Sequence, residues 1–158
     1  LVAESLEHVR QAALLHDIGK IAVPDSVLEK PGPLSPDERA AVELHSVIGE
    51  RILTASPALE PVARIVRSHH ERWDGHGYPD RLVGGECAIE ARIVAVCDAF
   101  SAITSCRPYR NARTSAEALL EIRRHGASQF DPAVVEALAA ALADLGHRSS
   151  AHSERRAS

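Results

Sequence analysis

Methionine is absent from all 158 residues, even position one, so the chain is expected to begin inside a longer reading frame. Cysteine is scarce: only Cys87, Cys97 and Cys106 occur. Their odd number and the lack of any Cys-x-x-Cys pair exclude a disulfide framework and point to reduced, core-type thiols in a cytoplasmic protein. No apolar run approaches the roughly 20 residues of a membrane span, and the N-terminus lacks the basic-then-apolar order of a signal peptide. Positive charge is not in excess, since the formal net charge is -4. No global field therefore attracts a nucleic-acid polymer or an anionic membrane, and an anionic ligand would need a local cationic site such as bound metal. Internal repeats are missing too. What remains, at 45% apolar content, suits one domain with a substantial core.

The pattern along the chain is helical. Leu6, Val9, Ala13 and Leu14 recur at helical spacing, and Gly19 is placed to end that first helix just after His16-Asp17. Prolines 24, 31, 33 and 36 forbid a regular helix from Ile21 to Pro36, which predicts an ordered loop. Ser35 and Glu38 form a capping box with Pro36 at the first helical position, predicting a helix through His45 to about Leu53. Ser56-Pro57 opens the next, whose face of Leu59, Val62, Ile65 and Val66 leads to His69-His70. Asp74 to Gly85, with four glycines and a proline, reads as a loop.

Ile89 to Ile103 is apolar almost all round and predicts a buried central helix, on which Asp98 must be paired or metal-bound. A helix capped by Thr114 or Ser115 and another opened by Asp131-Pro132 and running to Leu145 complete an all-α chain. The tail from Gly146 reads as disordered.

Two clusters carry the chemistry. His69-His70-Glu71-Arg72-Trp73-Asp74-Gly75-His76-Gly77-Tyr78-Pro79 sets tandem imidazoles before a glycine-rich, proline-closed loop. Upstream, His16-Asp17-Ile18-Gly19-Lys20 gathers an imidazole, a carboxylate and an ammonium at a helix exit. Imidazole and carboxylate donors suit iron, manganese, zinc or nickel, and a pair of such ions needs about six to eight protein donors with one bridging carboxylate. His16, Asp17, His45, His69, His70 and Asp98 supply that set. Neighbours on a helix splay by about 100°, so Asp17 can bridge two ions while His16 binds one.

These pieces, with His45-Ser46-Val47-Ile48-Gly49, Ala91-Arg92-Ile93 through Asp98, Arg107-Pro108-Tyr109-Arg110 and Gln129-Phe130-Asp131-Pro132, stand in an ordered series from about Ala12 to Leu142. The series resembles the HD-GYP family, a branch of the HD metal-dependent phosphohydrolases. The resemblance implies an HD-type helical bundle with a glycine-rich active-site loop over residues 1–145, N-terminally truncated relative to the family, and a tail over 146–158. It implies bacterial signal transduction by hydrolysis of cyclic di-GMP to linear pGpG and then GMP, through a hydroxide bridged by two divalent ions, or three in an intact domain, commonly iron or manganese. By the same resemblance His16, Asp17 and Asp98 serve one ion and Asp17, His45, His69 and His70 the other. Asp17 and Lys20 are then catalytic, and Lys20, Tyr78, Arg107 and Arg110 contact the nucleotide. Implied partners are diguanylate cyclase (GGDEF) domains and a fused or upstream sensory or receiver domain.

Two departures bear on activity. The family's Glu-x-x-x-His helix ahead of the His-Asp helix is not matched. Glu4 and His8 have that spacing but share the helix of His16, about 12 Å before it at 1.5 Å per residue. Ser101 stands where the family usually has an acid. They set a rival beside the enzyme: a catalytically weakened cyclic-dinucleotide-binding or protein-interaction module. An HD phosphohydrolase for another nucleotide is the rival within enzymology. Taken singly, His8, His76, His125, His147 and His152 read as ordinary hydrogen-bonded residues, and the non-metal reading of Asp98 is a pair with Arg92.

Overall fold

Helices provide all the regular structure in the computed structural model, which describes residues 2–106 and 111–156, and the backbone alone from 146 onward. The order is α1 (Ala3–Leu15), a 3-10 turn (Ile18–Ala22), α2 (Asp25–Leu28), α3 (Pro36–Glu43), α4 (His45–Leu53), a 3-10 turn (Pro57–Leu59), α5 (Glu60–Ser68), a 3-10 turn (Gly84–Glu86), α6 (Ile89–Thr104), α7 (Ser115–Arg124) and α8 (Pro132–Arg156). The expected all-helical class is what the chain adopts. No strand occurs among the described residues.

Local chemistry sets most boundaries. Ser35 accepts from the Glu38 N–H while Glu38 accepts from the Ser35 N–H, and Thr114 with Glu117 repeats the device at α7. At α8 the Asp131 carboxylate accepts from the Ala133 N–H, satisfying one of the orphan donors that every helix start presents.

α6 is the central element, as its apolar character predicts. One side joins Val9, Ala12, Leu53, Val62, Ala63, Ile65 and Val66 through Ala91 and Val94. Its other side meets Ile122, Phe130, Val134 and Val135 through Val96. Two cores therefore share one helix, and α1, α4 and α5 are held as a unit against it.

The structure departs from sequence expectation at several points. On α1 only Val9 and Ala12 are buried, while Leu14 is 84% exposed. The four expected residues span an arc of about 140° at 100° per residue, and only its Val9 edge meets α5 and α6. The α3–α4 stretch breaks at Leu44. A single turn, α2, fits inside the proline-rich connection because Pro24 precedes it, where no N–H is required. α8 runs to Arg156, beyond the expected helix end at Leu145; one glycine costs a helix only about 1 kcal/mol relative to alanine and no proline follows. Cys87 is buried, but Cys97 and Cys106 are exposed, so only the first is a core thiol. Arg92 pairs with the buried Asp131 rather than with Asp98 and lies over the Trp73 ring, 5.6 Å from its centroid.

Candidate metal centre

Three helix ends and one helix face converge. His16 caps α1 and Asp17 follows it, His45 begins α4, His69 caps α5 with His70 next, and Asp98 projects from α6. The convergence depends on a close approach of the 3-10 turn to α4. A Cβ at Gly19 would run into the His45 carbonyl oxygen and the Gly49 nitrogen, so only glycine allows Asp17 to come this near His45.

The orientation of three imidazoles follows from a repeated backbone contact. Nδ1 of His16 lies 2.8 Å from the Ala13 carbonyl, Nδ1 of His45 lies 2.6 Å from that of Val42, and Nδ1 of His69 lies 2.6 Å from that of Val66. A carbonyl only accepts, so each Nδ1 carries a proton and each Nε2 is turned to the centre; at His45 and His69, where burial disfavours a second proton, Nε2 presents a lone pair. Holding the ring by its other nitrogen is the usual way proteins orient a metal-binding histidine.

Inside, His45 Nε2 and His69 Nε2 face each other at 3.5 Å. One donor atom each from His45, His69 and His70 lies within 4.8 Å of the others. Both His45 and His69 are 1% exposed. Two buried lone pairs at this distance repel unless a cation lies between them. A proton does not take that role near neutral pH, because burial, ahead of neighbouring charges, pushes His69 down to about 4 and His70 down to about 2. Burial lowers His45 as well. The donor set therefore fits a divalent metal better than it fits any protonation state of its own.

Asp17 stands between two groups. Its Oδ1 is 3.7 Å from His45 Nε2, and its Oδ2 is 3.5 Å from His16 Nε2. His16 Nε2 in turn lies 3.7 Å from Asp98 Oδ1. One carboxylate oxygen thus faces the His45–His69–His70 cluster and the other faces the His16–Asp98 pair, the disposition of a bridging ligand. Burial opposes its charge, but the Lys20 ammonium, hydrogen-bonded at 2.7 Å, outweighs this and holds Asp17 below the usual carboxylate range. The floor is buried imidazole, whereas Asp17, Asp98 and Lys20 remain partly exposed, leaving an open side for a ligand.

The glycine-rich loop closes one wall. Tyr78 stacks on His70, centroids 4.8 Å apart, and its N–H donates to the His70 carbonyl at 3.3 Å. A Cβ at Gly77 would strike the Arg72 nitrogen and the Glu71 Cα, so this turn also requires glycine. Sequence reasoning missed what braces the loop. Glu71, 6% exposed, accepts from the N–H groups of Asp80 (2.6 Å), Arg81 (3.0 Å) and Leu82 (3.1 Å). Arg67 of α5 adds a second brace, binding Glu50 of α4 at 2.6 Å and Asp80 at 2.7 and 2.8 Å. The only sequence signal for Glu71 is its place beside the tandem histidines.

All six expected donors, His16, Asp17, His45, His69, His70 and Asp98, are brought together, with Lys20 and Tyr78 at the edge. Arg107 and Arg110 lie outside the described residues. Ser101 lines a cavity of about 230 Å³ with His16, Asp98 and Cys97. His76 is exposed, and His125 pairs with Glu121 at 3.4 Å, away from the site.

Residues 2–134 match the model of a family described as HD domain. This chain belongs to the HD domain family. Its ordered motifs are those of the HD-GYP type. HD domains bind divalent metals, and the histidine cluster here is suited to one. The HD domain is 46% identical over 147 residues to the cyclic di-GMP phosphodiesterase response regulator RpfG of Xanthomonas campestris, covering 92% of this chain and 39% of that protein. It is 48% identical over 131 residues to a cyclic di-GMP phosphodiesterase of Thermotoga maritima, covering 82% of this chain and 36% of that protein. A 3'3'-cGAMP-specific phosphodiesterase 2 of Vibrio cholerae is 37% identical over 140 residues, with 87% of this chain and 27% of that protein covered. The HD domain thus spans less than two fifths of the length of these relatives. A crystal structure of a cyclic GMP-AMP specific phosphodiesterase of V. cholerae, V-cGAP3, superimposes with a TM-score of 0.67 at 20% identity, over 90% of this chain and 39% of that one, and so shares the fold. No helix among the described residues is long and apolar enough to cross a membrane.

Proposed function

We infer that this HD domain is a metal-dependent phosphodiesterase that opens cyclic di-GMP to linear pGpG and cleaves that to GMP. The observation that carries the inference is Asp17, whose two oxygens face separate histidine-containing groups. His16, Asp17 and Asp98 hold one ion, and Asp17, His45, His69 and His70 hold the other, with iron or manganese suiting the mixed imidazole–carboxylate set. The ion pair supplies Lewis acidity to the phosphate and lowers the pKa of water at the site. The chain's own groups do the rest. Water attacks phosphorus in line and the phosphorus–oxygen bond to the departing 3′ oxygen breaks, freeing that oxygen as a hydroxyl. Lys20, fixed by Asp17, sets a compact positive charge against the phosphate, and the HD-GYP resemblance assigns further phosphate contacts to Arg107 and Arg110. Tyr78, locked on His70, forms the wall against which the nucleotide lies.

The relatives named for 3'3'-cGAMP favour a second reading, in which the substrate is a mixed cyclic dinucleotide. The response-regulator relative supports a role as the output part of a larger signalling protein, and free thiols suit a cytoplasmic setting. Metal analysis and turnover test the inference together. Protein loaded with Mn²⁺ or Fe²⁺ should hold about two equivalents per chain and release pGpG and GMP from cyclic di-GMP, and Asp17→Ala should lose both. Tight cyclic di-GMP binding with no product in either metal would instead establish a binding module.

A further inference from the structure

A cavity of about 760 Å³ lies apart from the space over the histidines. It opens beyond Tyr78, with Glu43, Leu44 and Val47 at the α3–α4 junction on one side and Tyr78, Pro79 and Arg81 of the loop on the other. Tyr78 is the partition: its ring stacks on His70 toward the metal centre while it also lines the cavity. Burial, then the fields of Glu43, Asp17 and Asp98, push its phenol above the ordinary range, so carboxylates act on it from both compartments.

Two opposite charges, Glu43 and Arg81, line this space. Neither the Glu43 carboxylate nor the Arg81 guanidinium has an ion pair or side-chain hydrogen bond among the described residues, although most other carboxylates and guanidiniums of the loop region are paired. Arg81 is also held in an unusual backbone conformation, with φ at 58°, by the bond from its N–H to Glu71. A non-glycine residue kept at positive φ on the wall of a cavity is the kind of local strain that accompanies function.

We propose that this cavity is a purine subsite for one guanine of the cyclic dinucleotide, Glu43 accepting from guanine N1–H and N2–H and Arg81 donating to O6 and N7. The proposal rests on the phosphodiesterase reading above and adds to it the group that reads the base. A carboxylate is an acceptor only, so it matches the paired donors of guanine and repels the N1 lone pair of adenine. The arginine fork matches O6 and N7 of guanine. Leu44, Val47 and Pro79 offer apolar contact to the base, and the volume falls within the range of about 300–1,000 Å³ common for ligand sites. Because the Tyr78 ring both lines the cavity and stacks on His70, one nucleotide spans both compartments, its base beyond the partition and its phosphate over the metal centre.

Titration of the Mn²⁺-loaded full chain with GMP and AMP tests this. GMP should bind at least about tenfold more tightly than AMP, the weight of one charge-assisted hydrogen bond. Glu43→Gln should erase or invert the preference, since its amide pairs an acceptor with adenine N6–H and a donor with N1. Arg81→Gln should weaken GMP without favouring AMP. Equal affinities in the unmodified protein, no nucleotide binding, or a guanine preference that survives Glu43→Gln overturns the subsite. Cleavage of 3'3'-cGAMP provides an independent readout: with guanine fixed in the cavity, one of the two phosphodiesters is addressed and one linear product dominates, and equal amounts of both count against the proposal. Guanine-selective binding with no hydrolysis of any cyclic dinucleotide would refute the phosphodiesterase reading while sustaining the subsite.

Discussion

Replacing Glu71 by alanine removes one buried carboxylate and strands three backbone donors. The N–H groups of Asp80, Arg81 and Leu82 all end on it, at 2.6, 3.0 and 3.1 Å, and their turn holds Tyr78 against His70. A hydrogen bond to a charged group contributes about 1.5–3 kcal/mol, and a buried donor left unsatisfied costs about 1–3 kcal/mol. Three at full cost would sum to about 5 kcal/mol or more, but water can reach part of an opened turn, so the expected loss is about 3–4 kcal/mol. That is a large share of the roughly 5–15 kcal/mol that holds a domain together, yet it leaves the chain folded. Urea denaturation measures the total, and amide hydrogen exchange at Asp80, Arg81 and Leu82 localises it. The exposed Glu60, paired with Arg64 one helical turn away, is the control and should cost about 0.5 kcal/mol or less. A Glu71→Ala loss below about 1 kcal/mol, or unchanged exchange at the three amides, would refute the view of Glu71 as the hub of the loop.

Gly19→Ala should disrupt the metal centre and cost about 3 kcal/mol or more by overpacking, because its Cβ meets fixed backbone of α4 rather than a movable side chain; metal affinity and urea midpoint should fall together, and an unperturbed protein would contradict the packing described. Asp131→Ala should cost about 3–5 kcal/mol by leaving the Arg92 guanidinium uncompensated and α8 uncapped, against near-neutral change if that pair is only superficial. Stability of the chelator-treated protein should fall as pH drops from about 6.5 toward 4. His69, lowered to about 4, and His70, lowered to about 2, stay neutral when folded but take up protons once unfolded, near 6.5. Each such proton gives a slope of about 1.4 kcal/mol per pH unit, and a urea midpoint that is flat or rises toward pH 5 would contradict the burial of these imidazoles.

Much of this architecture is legible from short-range signals. The capping box at Ser35, the cap at Thr114, one of the two positions offered for it, and the Asp131-Pro132 start are local rules, and each appears where the sequence places it; the Ser56-Pro57 start instead opens a 3-10 turn, with α5 following from Glu60. The helix-end positions of His16 and His69 follow from the same rules, and the meeting of the six donors follows from the family resemblance. What was not legible depends on partners far away in the chain. Whether Leu6 and Leu14 are buried is decided by which side of α1 meets α5 and α6. Arg92 has Glu90 two residues before it and Asp98 six residues after it, but finds Asp131, 39 residues on. Glu71 and Arg67 look like ordinary surface charges until the loop folds back to present Asp80 and its neighbouring N–H groups. The α3–α4 break at Leu44 carries no glycine or proline to announce it, and the lone Gly146 is too weak a signal to end α8.

The central claim is that Asp17 bridges two cations, and anomalous diffraction from crystals grown with Mn²⁺ tests it most directly. Two peaks are predicted, about 3.5–4 Å apart, one ligated by His45, His69, His70 and Asp17 and the other by His16, Asp98 and Asp17. A centre without manganese, or manganese bound elsewhere while the Nε2 atoms of His45 and His69 still face each other with nothing between them, would contradict it.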